Sequence, residues 1–429
     1  MKLAVILLVK IIIKISRLFG HNGSALPGLI AEKLYPNLLK DTLIGLKSGI
    51  IVVTGTNGKT TTTKIISELL SASDKKVLTN RSGSNFTRGI LSTVIEKSTL
   101  TGELPYDIGV FELDEAYARL FTKEVKPRIL VALNVLRDQL DRYGEITKTA
   151  DLIGEAAKSA DYVVLNADDP PISNLSKKLS FSRTKFFGMS SDLKLHLPSD
   201  DELHGSVATK NSNQKVDLKL IAAEDLGSNQ KITLQAGKEK FLTNFNLKGI
   251  YNAVNAAAAI LTVKTAFPET SYSNVACKLS QIQPAFGRGE VIDVEGRKIV
   301  LGLIKNPAGF NQNIRSFIDS DVDAILIVIN DKYADGRDVS WLWDVNVDKL
   351  AKVSHIHTSG IRTYDMALRL KYSDIDINPD FIDQDINRSL KKIINLTKPG
   401  DKIVIFPTYT AMLKIRKIFS KNVKVDSIW

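Results

Sequence analysis

Sulfur and imidazole are scarce in this sequence: its 429 residues contain one cysteine, Cys277, and five scattered histidines. That excludes an internal disulfide and any cysteine-rich zinc site, and no structural zinc is expected. A reducing cytoplasm fits such a composition. Cys277 lies in NVACKLSQIQ, a helical pattern without the tight turn that exposes a nucleophile. A small core residue is expected there rather than a catalyst. Basic runs interleaved with aromatics are also missing, which leaves nucleic acid without its usual signature. No uninterrupted apolar run is long enough for a membrane span. The stretch MKLAVILLVKIIIKISRLFG comes nearest, but Lys10 and Lys14 break it, and a span needs about 20 predominantly apolar residues. No small-residue cleavage site of a signal peptide follows. Residues 1–45 therefore read as an amphipathic helix and lead-in, the helix packed on the body or lying peripherally on the inner face of a membrane. Residues 1–48 carry seven Lys/Arg against two Asp/Glu, a local +5 that suits an anionic surface.

What is present is an ordinary soluble composition, 44% hydrophobic and 24% charged, in a chain long enough for two or three domains. A net charge of +11 serves solubility, or it meets nucleic acid, an anionic membrane surface or a phosphorylated substrate.

The densest signal is VVTGTNGKTTTTK at residues 52–64. GIIVVT before it has the texture of a buried strand, and KTTTTKIISELLSAS after it has apolar residues at helical spacing. Glycines thus fall at a strand-to-helix turn, where backbone N–H groups and a helix N-terminus favour an anion. Lys59 adds a point charge for the outer phosphates of a nucleotide, and Thr60 is the expected magnesium ligand. Val53 stands where longer phosphate loops have glycine, so the match is to the shorter pattern TGTNGKT. Thr54, Gly55, Thr56, Asn57, Gly58, Lys59, Thr60 and Thr61 form the candidate nucleotide-binding set.

Downstream, YDIGVF, PRILVALN and DYVVLN each follow a helical pattern, as in a mostly parallel sheet with helices on both faces. Between residues 190 and 246 the texture turns polar, with alternating stretches KVDLKLIAA and KITLQAG that predict a small antiparallel, β-rich insertion. Helix returns at LKGIYNAVNAAAAILTVKTAF. After FGRGE the alternation restarts with KIVLGL, DAILIVIN, VSHIHT and DKIVIF. The expected organisation is an ATP-binding α/β domain over 46–286 and a second, Rossmann-like α/β domain over 287–429.

Glu112 ends a predicted strand beside the phosphate-loop strand. Ligands gather at the carboxyl ends of such strands, so Glu112 is either a magnesium ligand, directly or through water, or a solvated strand end. Asn134, Arg137, Asp138 and Asp141 in LNVLRDQLDRYGEI crowd another strand-to-helix loop. NADDPP at 166–171 repeats the pattern or is simply a turn.

TGTNGKTTT, NRSGSNFTRG, FELDEA, LRDQLDRYGE, LNADDP, GIYNAVNAAAA, FGRGE, KNPAGFNQ and DGRDVSWLWD together resemble the Mur ligase superfamily, over nearly the whole chain. KNPAGFNQ and DGRDVSW narrow the resemblance to the ligase-like subunits of lipid II isoglutaminyl synthases. Amino-acid-adding members usually have an AHNP-like sequence where this chain has IKNP, and often DH where it has Asp138 and Gln139. The resemblance implies ATP-dependent activation of a carboxylate, the α-carboxylate of D-glutamate in the lipid II stem peptide, as an acyl phosphate that ammonia converts to the amide. It implies Lys59 and Glu112 as catalytic groups, with Mg2+ held by Thr60 and Glu112. Asn255 and Arg288 are implied near adenine and ribose or phosphates, and Lys305, Asn306 and Asn311 as groups approaching on domain closure. It also implies a separate glutaminase subunit forming a heterodimer, whose Cys-His pair Asp338 completes. Consistent with that, IVINDKYADGRDVSWLWD has the features of a docking loop: it turns through Ala334, Asp335 and Gly336 and presents Trp341 and Trp343, which are either interface anchors or core. The chain departs from many members in lacking a zinc ribbon, and the resemblance to its subgroup implies no N-terminal UDP-binding domain, the ATPase core being expected to start near residue 46. An amino-acid-adding ligase of the folylpolyglutamate type and a basic ATP-binding module without chemistry are the competing readings.

Overall fold

The computed structural model describes residues 2–18, 25–80, 85–136, 146–194, 215–227, 229–284, 287–319 and 321–421. Two sheets organise them. The first takes β1 (Ile50–Thr54), β2 (Val77–Thr79), β3 (Ile108–Glu112), β4 (Ile129–Ala132), β5 (Tyr162–Asn166), β6 (Thr184–Met189), β7 (Leu218–Asp225), β8 (Gln230–Ala236) and β9 (Glu239–Phe245) in the order β2-β3-β1-β4-β5-β6-β7-β8-β9. Pairing is parallel as far as β7 and antiparallel from β7 to β9. The antiparallel segment foreseen in the polar region is thus no separate layer. Its strands continue the main sheet through the β6–β7 pairing, and Leu218, Leu220, Ile232 and Leu234 join the same core.

Strand residues divide between the two faces because side chains alternate along a strand. Ile50 and Val52 of β1 feed the core under the helices Lys2–Leu18, Thr87–Lys97 and Glu115–Glu124, while Ile51 and Val53 feed the core under Lys59–Ser71 and Ile250–Ala266. Both sides being covered, β1 is buried at every residue, as expected of a central parallel strand. Ala253 and Ala256–Ala259 are fully buried in the alanine-rich helix, whose small side chains let it lie close on the helix Lys59–Ser71. Gly28 serves the opposite face in the same way: a Cβ there would lie 1.9 Å from the Arg88 carbonyl oxygen.

The second sheet takes β10 (Arg288–Val294), β11 (Arg297–Gly302), β12 (Ala324–Val328), β13 (His355–Ser359), β14 (Ile382–Asp383) and β15 (Lys402–Pro407) in the order β10-β11-β15-β12-β13-β14. Only β10 and β11 pair antiparallel. Ile325 and Ile327 point to a core shared with the helix Pro307–Phe317, and Ala324, Leu326 and Val328 to one shared with Ile386–Leu396 and Tyr409–Phe419. Among the described residues no helix is long and apolar enough to cross a membrane.

Candidate active site

The phosphate loop leaves the carboxyl end of β1 and enters the helix Lys59–Ser71 through two glycines with positive φ, Gly55 at 124° and Gly58 at 88°. Neither tolerates a side chain. A Cβ on Gly55 would lie 2.9 Å from the Asn134 carbonyl oxygen, and one on Gly58 would lie 2.5 Å from Asn255 Oδ1. The segment after β4 grips the loop from one side. Asn134 Oδ1 accepts from the Asn57 N–H at 2.8 Å and Asn134 Nδ2 donates to the Asn57 carbonyl at 3.0 Å. Thr56 N–H donates to the Asn134 carbonyl at 2.9 Å, and Thr56 Oγ1 accepts from the Leu136 N–H at 3.0 Å. The loop is therefore shaped by fixed hydrogen bonds.

Lys59 is buried and folds back on its own loop, its ammonium donating to the Gly55 carbonyl and, at 3.2 Å, to the Thr56 carbonyl. Glu115 Oε1 stands 3.8 Å from that ammonium, also buried. Glu112 occupies the carboxyl end of β3, opposite Val53 in register, half-buried. Asn80 pins its backbone in both directions, accepting from the Glu112 N–H at 2.9 Å and donating to the Glu112 carbonyl at 2.8 Å. The side chain is thus held at the site while its backbone is accounted for.

Arg288, at the start of β10, reaches across from the second sheet and donates to Thr60 Oγ1 at 3.2 Å. Burial pulls its pKa below the ordinary arginine value, opposed by the Glu112 carboxylate and by Tyr251. Burial pushes the Tyr251 phenol up to about 12, opposed by Arg288. The Glu112 carboxylate thus partly offsets the cost of burying the Arg288 cation beside Thr60 and Glu112, the pair expected to hold magnesium. Among the described residues no three or more His, Cys, Asp or Glu side chains cluster as a metal site of their own. A hard cation at Thr60 and Glu112 would complete its shell with phosphate oxygens and water, as magnesium does.

Lys305 and Asn306 close the second side. Lys305 Nζ donates to the Thr56 carbonyl at 3.3 Å. Asn306 exchanges two side-chain hydrogen bonds with Asn57, at 3.0 and 3.3 Å, and its Oδ1 also caps the helix Pro307–Phe317 by accepting from the Gly309 N–H at 2.8 Å. Asn311 behaves otherwise. Its Oδ1 accepts from the Asn346 N–H at 2.8 Å, so it ties two parts of its own half together.

Asp338 is exposed and touches none of these groups; its Oδ1 accepts from the Ser340 N–H at 2.8 Å. The preceding turn is anchored by buried Asp335, which accepts from the Thr410 N–H at 2.7 Å and hydroxyl at 2.6 Å. The two tryptophans divide: Trp341 is half-buried edge-on to Phe310, while Trp343 is 49% exposed beside Tyr372 and Arg369.

Phosphate-loop residues, Glu112, Asn255, Arg288 and Lys305 thus converge, with Asn255 against Gly58 and Arg288 against Thr60. Cys277 corrects the expectation of a core position. It is exposed, where the helix Tyr272–Ala276 tightens into a 3-10 turn, and its Sγ donates to the Asn274 carbonyl at 3.2 Å. Arg137, Asp138, Gln139 and Asp141 lie outside the described residues. In NADDPP, Asp169 caps the helix Pro170–Ser173 and accepts from the Val135 N–H at 3.1 Å, so it buttresses the segment that grips the phosphate loop. The sequence singles out neither Asn80 nor Glu115 as an individual. Both lie in motifs already notable in the sequence, NRSGSNFTRG and FELDEA, but their roles arise from contacts across 32 and 56 positions of chain.

Comparison with known proteins gives two family matches, the Mur ligase middle domain over residues 53–263 and the MurT ligase C-terminal domain over 303–412. The chain is 29% identical to the lipid II isoglutaminyl synthase (glutamine-hydrolyzing) subunit MurT of Staphylococcus aureus, covering 94% of each chain. It is 28% identical to that subunit of Streptococcus pneumoniae, covering 93% of each. Among solved structures, a MurF ligase of Thermotoga maritima in complex with ADP superposes with a TM-score of 0.66 at 17% identity, covering 91% of this chain and 84% of that one.

Proposed function

The chain belongs to the Mur ligase superfamily, and from that premise we propose that it is the ligase subunit of an enzyme that amidates lipid II. Its ATP-binding unit would span residues 46–286 and its second α/β unit 287–429. The γ-phosphoryl group of ATP would pass to the α-carboxylate of D-glutamate in the stem peptide, releasing ADP. Ammonia would then attack the acyl carbon, the C–O bond to phosphate would break, and D-isoglutamine and phosphate would leave. Because phosphoryl transfer is catalysed mainly by positioning and charge, each group has a defined task. Lys59 exchanges its loop carbonyls for phosphate oxygens, Asn255 and Arg288 flank the phosphates, and Lys305 brings a second ammonium from the other half. Magnesium, when bound, supplies charge neutralisation at the phosphates, and Thr60 and Glu112 are the residues that would hold it.

The observation that carries this reading is the contact of Lys305 and Asn306 with Thr56 and Asn57. It brings the KNPAGFNQ motif onto the nucleotide loop, where closure excludes water that would hydrolyse an acyl phosphate. Ammonia would come from a glutaminase subunit, since among the described residues no histidine partners the chain's one cysteine, whose Sγ donates to the Asn274 carbonyl. The lipid-linked substrate puts the reaction at the inner membrane surface. The test is mass spectrometry of the product from purified chain, glutaminase subunit, ATP, magnesium, glutamine and a lipid II analogue. Exchange of one hydroxyl for an amino group is expected, and a product heavier by an amino-acid residue would overturn the proposal.

A further inference from the structure

The helix Lys2–Leu18 has two apolar faces, only one of which is covered. Val5, Ile6, Val9 and Ile13 are buried in the core shared with the helices Ala25–Leu34 and Thr87–Lys97. Each such side chain contributes about 1.5–3 kcal/mol when fully buried, so this face alone suffices to dock the helix. Lys10 reinforces the docking. Its ammonium donates to the carbonyls of Glu96 and Ser98 at 3.1 and 2.6 Å, closing the end of the neighbouring helix. The outward face carries Leu3, Leu7, Leu8, Ile11 and Ile15, between 38% and 54% exposed, at positions that return on successive turns. Leu100, 60% exposed, lies in the turn whose Gly102 packs against Ile6 and Lys2. Isolated exposed leucines need no account, but five on one face of one helix form a contiguous patch.

Charge selects the occupant of that patch. The helix has four basic residues, Lys2, Lys10, Lys14 and Arg17, and no acidic one, within a segment that is +5 over residues 1–48. Lys14 is exposed one turn beyond Ile11, placed to extend its ammonium to a headgroup phosphate while its stem follows the apolar face. A second copy would set like charges against each other, whereas an anionic bilayer complements them. The helix cannot span. We infer that the outward face of the helix Lys2–Leu18 lies in the headgroup region of an anionic phospholipid bilayer, parallel to its plane, with the protein body hung beneath by the buried face. The inference deepens the reading of a lipid-linked substrate: the helix holds the ligase at the surface where that substrate is confined. It is an interaction surface and takes no part in the chemistry.

The test is co-sedimentation of the full chain with phosphatidylglycerol–phosphatidylcholine vesicles and with phosphatidylcholine vesicles, comparing the natural sequence, Leu7→Gln/Ile11→Gln and Lys14→Glu. Glutamine keeps helix propensity close to leucine's, and the buried face is untouched, so thermal midpoints should agree. Binding to the anionic vesicles is expected, weakened about tenfold or more in Leu7→Gln/Ile11→Gln. Lys14→Glu should weaken binding to anionic vesicles only. Failure of the natural chain to sediment with anionic vesicles, or equal binding by the double variant, would overturn the inference. So would a dimer in sedimentation velocity that the double substitution dissociates. Amidation of a water-soluble stem-peptide analogue, measured in parallel, should be the same for all three proteins. Its absence from all three would count against the proposed function while leaving the vesicle result to stand.

Discussion

Lys59 has its charge engaged before any nucleotide arrives, by two loop carbonyls and by Glu115 at 3.8 Å. Removing the ammonium therefore has two consequences. Lys59→Ala should abolish amidation, as should Thr60→Ala and Glu112→Ala, each by a factor of a hundred or more in kcat/KM. Lys59→Ala should also lose about 1–3 kcal/mol of stability, because the buried Glu115 carboxylate loses the ammonium beside it. Urea unfolding of Lys59→Ala, Glu115→Ala and the double variant measures the coupling, with the double variant losing less than the sum of the two singles. Additive losses would show that the carboxylate does not depend on the ammonium. The placement of Lys59, Thr60 and Glu112, at the turn after one strand and at the end of another, was legible in the sequence because the apolar strands on either side mark it. Glu115 was not, since only the packing of the helix Glu115–Glu124 beside the loop turns its carboxylate to Lys59.

Among the elements, the parallel strands were legible because burial on both faces leaves continuous apolar runs such as IIVVT. The junction of β6 with β7 was not. The β6–β7 pairing is set by Leu218 and Leu220 finding the core beneath the helix Ile250–Ala266, a non-local contact. β13 carries an equally hidden feature. His357 is fully buried there, stacked on Phe381 at 4.0 Å between ring centroids. Burial, with smaller contributions from His355 and Lys392, pushes its pKa down to about 4 from 6.5. Between those values the unfolded chain takes up a proton that the folded chain refuses, so stability is full above pH 6.5 and falls as the pH drops toward 4. The whole effect is roughly 3 kcal/mol. Urea unfolding at neutral pH and near pH 4.5 should show this loss in the natural protein and much less of it in His357→Phe. An identical pH dependence in the two proteins would mean that the imidazole is hydrated or paired in solution.

For the whole molecule, the site is divided between two sheets. Lys305 and Asn306 occupy the second half's contact with the phosphate loop, whereas Asp338 lies in the segment after β12, exposed and engaged only in its own turn through the Ser340 N–H. Asp335 fixes that turn to Thr410, so the Asp338 carboxylate is offered outward from a rigid base. The second half also exposes large aromatics, Tyr333 at 79%, Trp343 at 49% and Tyr372 at 72%, residue types that anchor interfaces. Under the proposed function a glutaminase subunit docks here and Asp338 orients its histidine, as the acid of a catalytic triad orients the base. Asp338→Asn keeps an acceptor for the Ser340 N–H, so the turn should survive. In the complex, glutamine-driven amidation should fall by a hundredfold or more while amidation with an ammonium salt stays at the level of the natural protein. Equal loss with both nitrogen sources would place Asp338 in the ligase chemistry instead, and no loss with either would remove it from the glutaminase site. Trp343→Ala separates docking from triad chemistry. It should weaken association of the two subunits in sedimentation velocity, and glutamine-driven activity should return when the glutaminase subunit is supplied in excess, which no excess should achieve for Asp338→Asn.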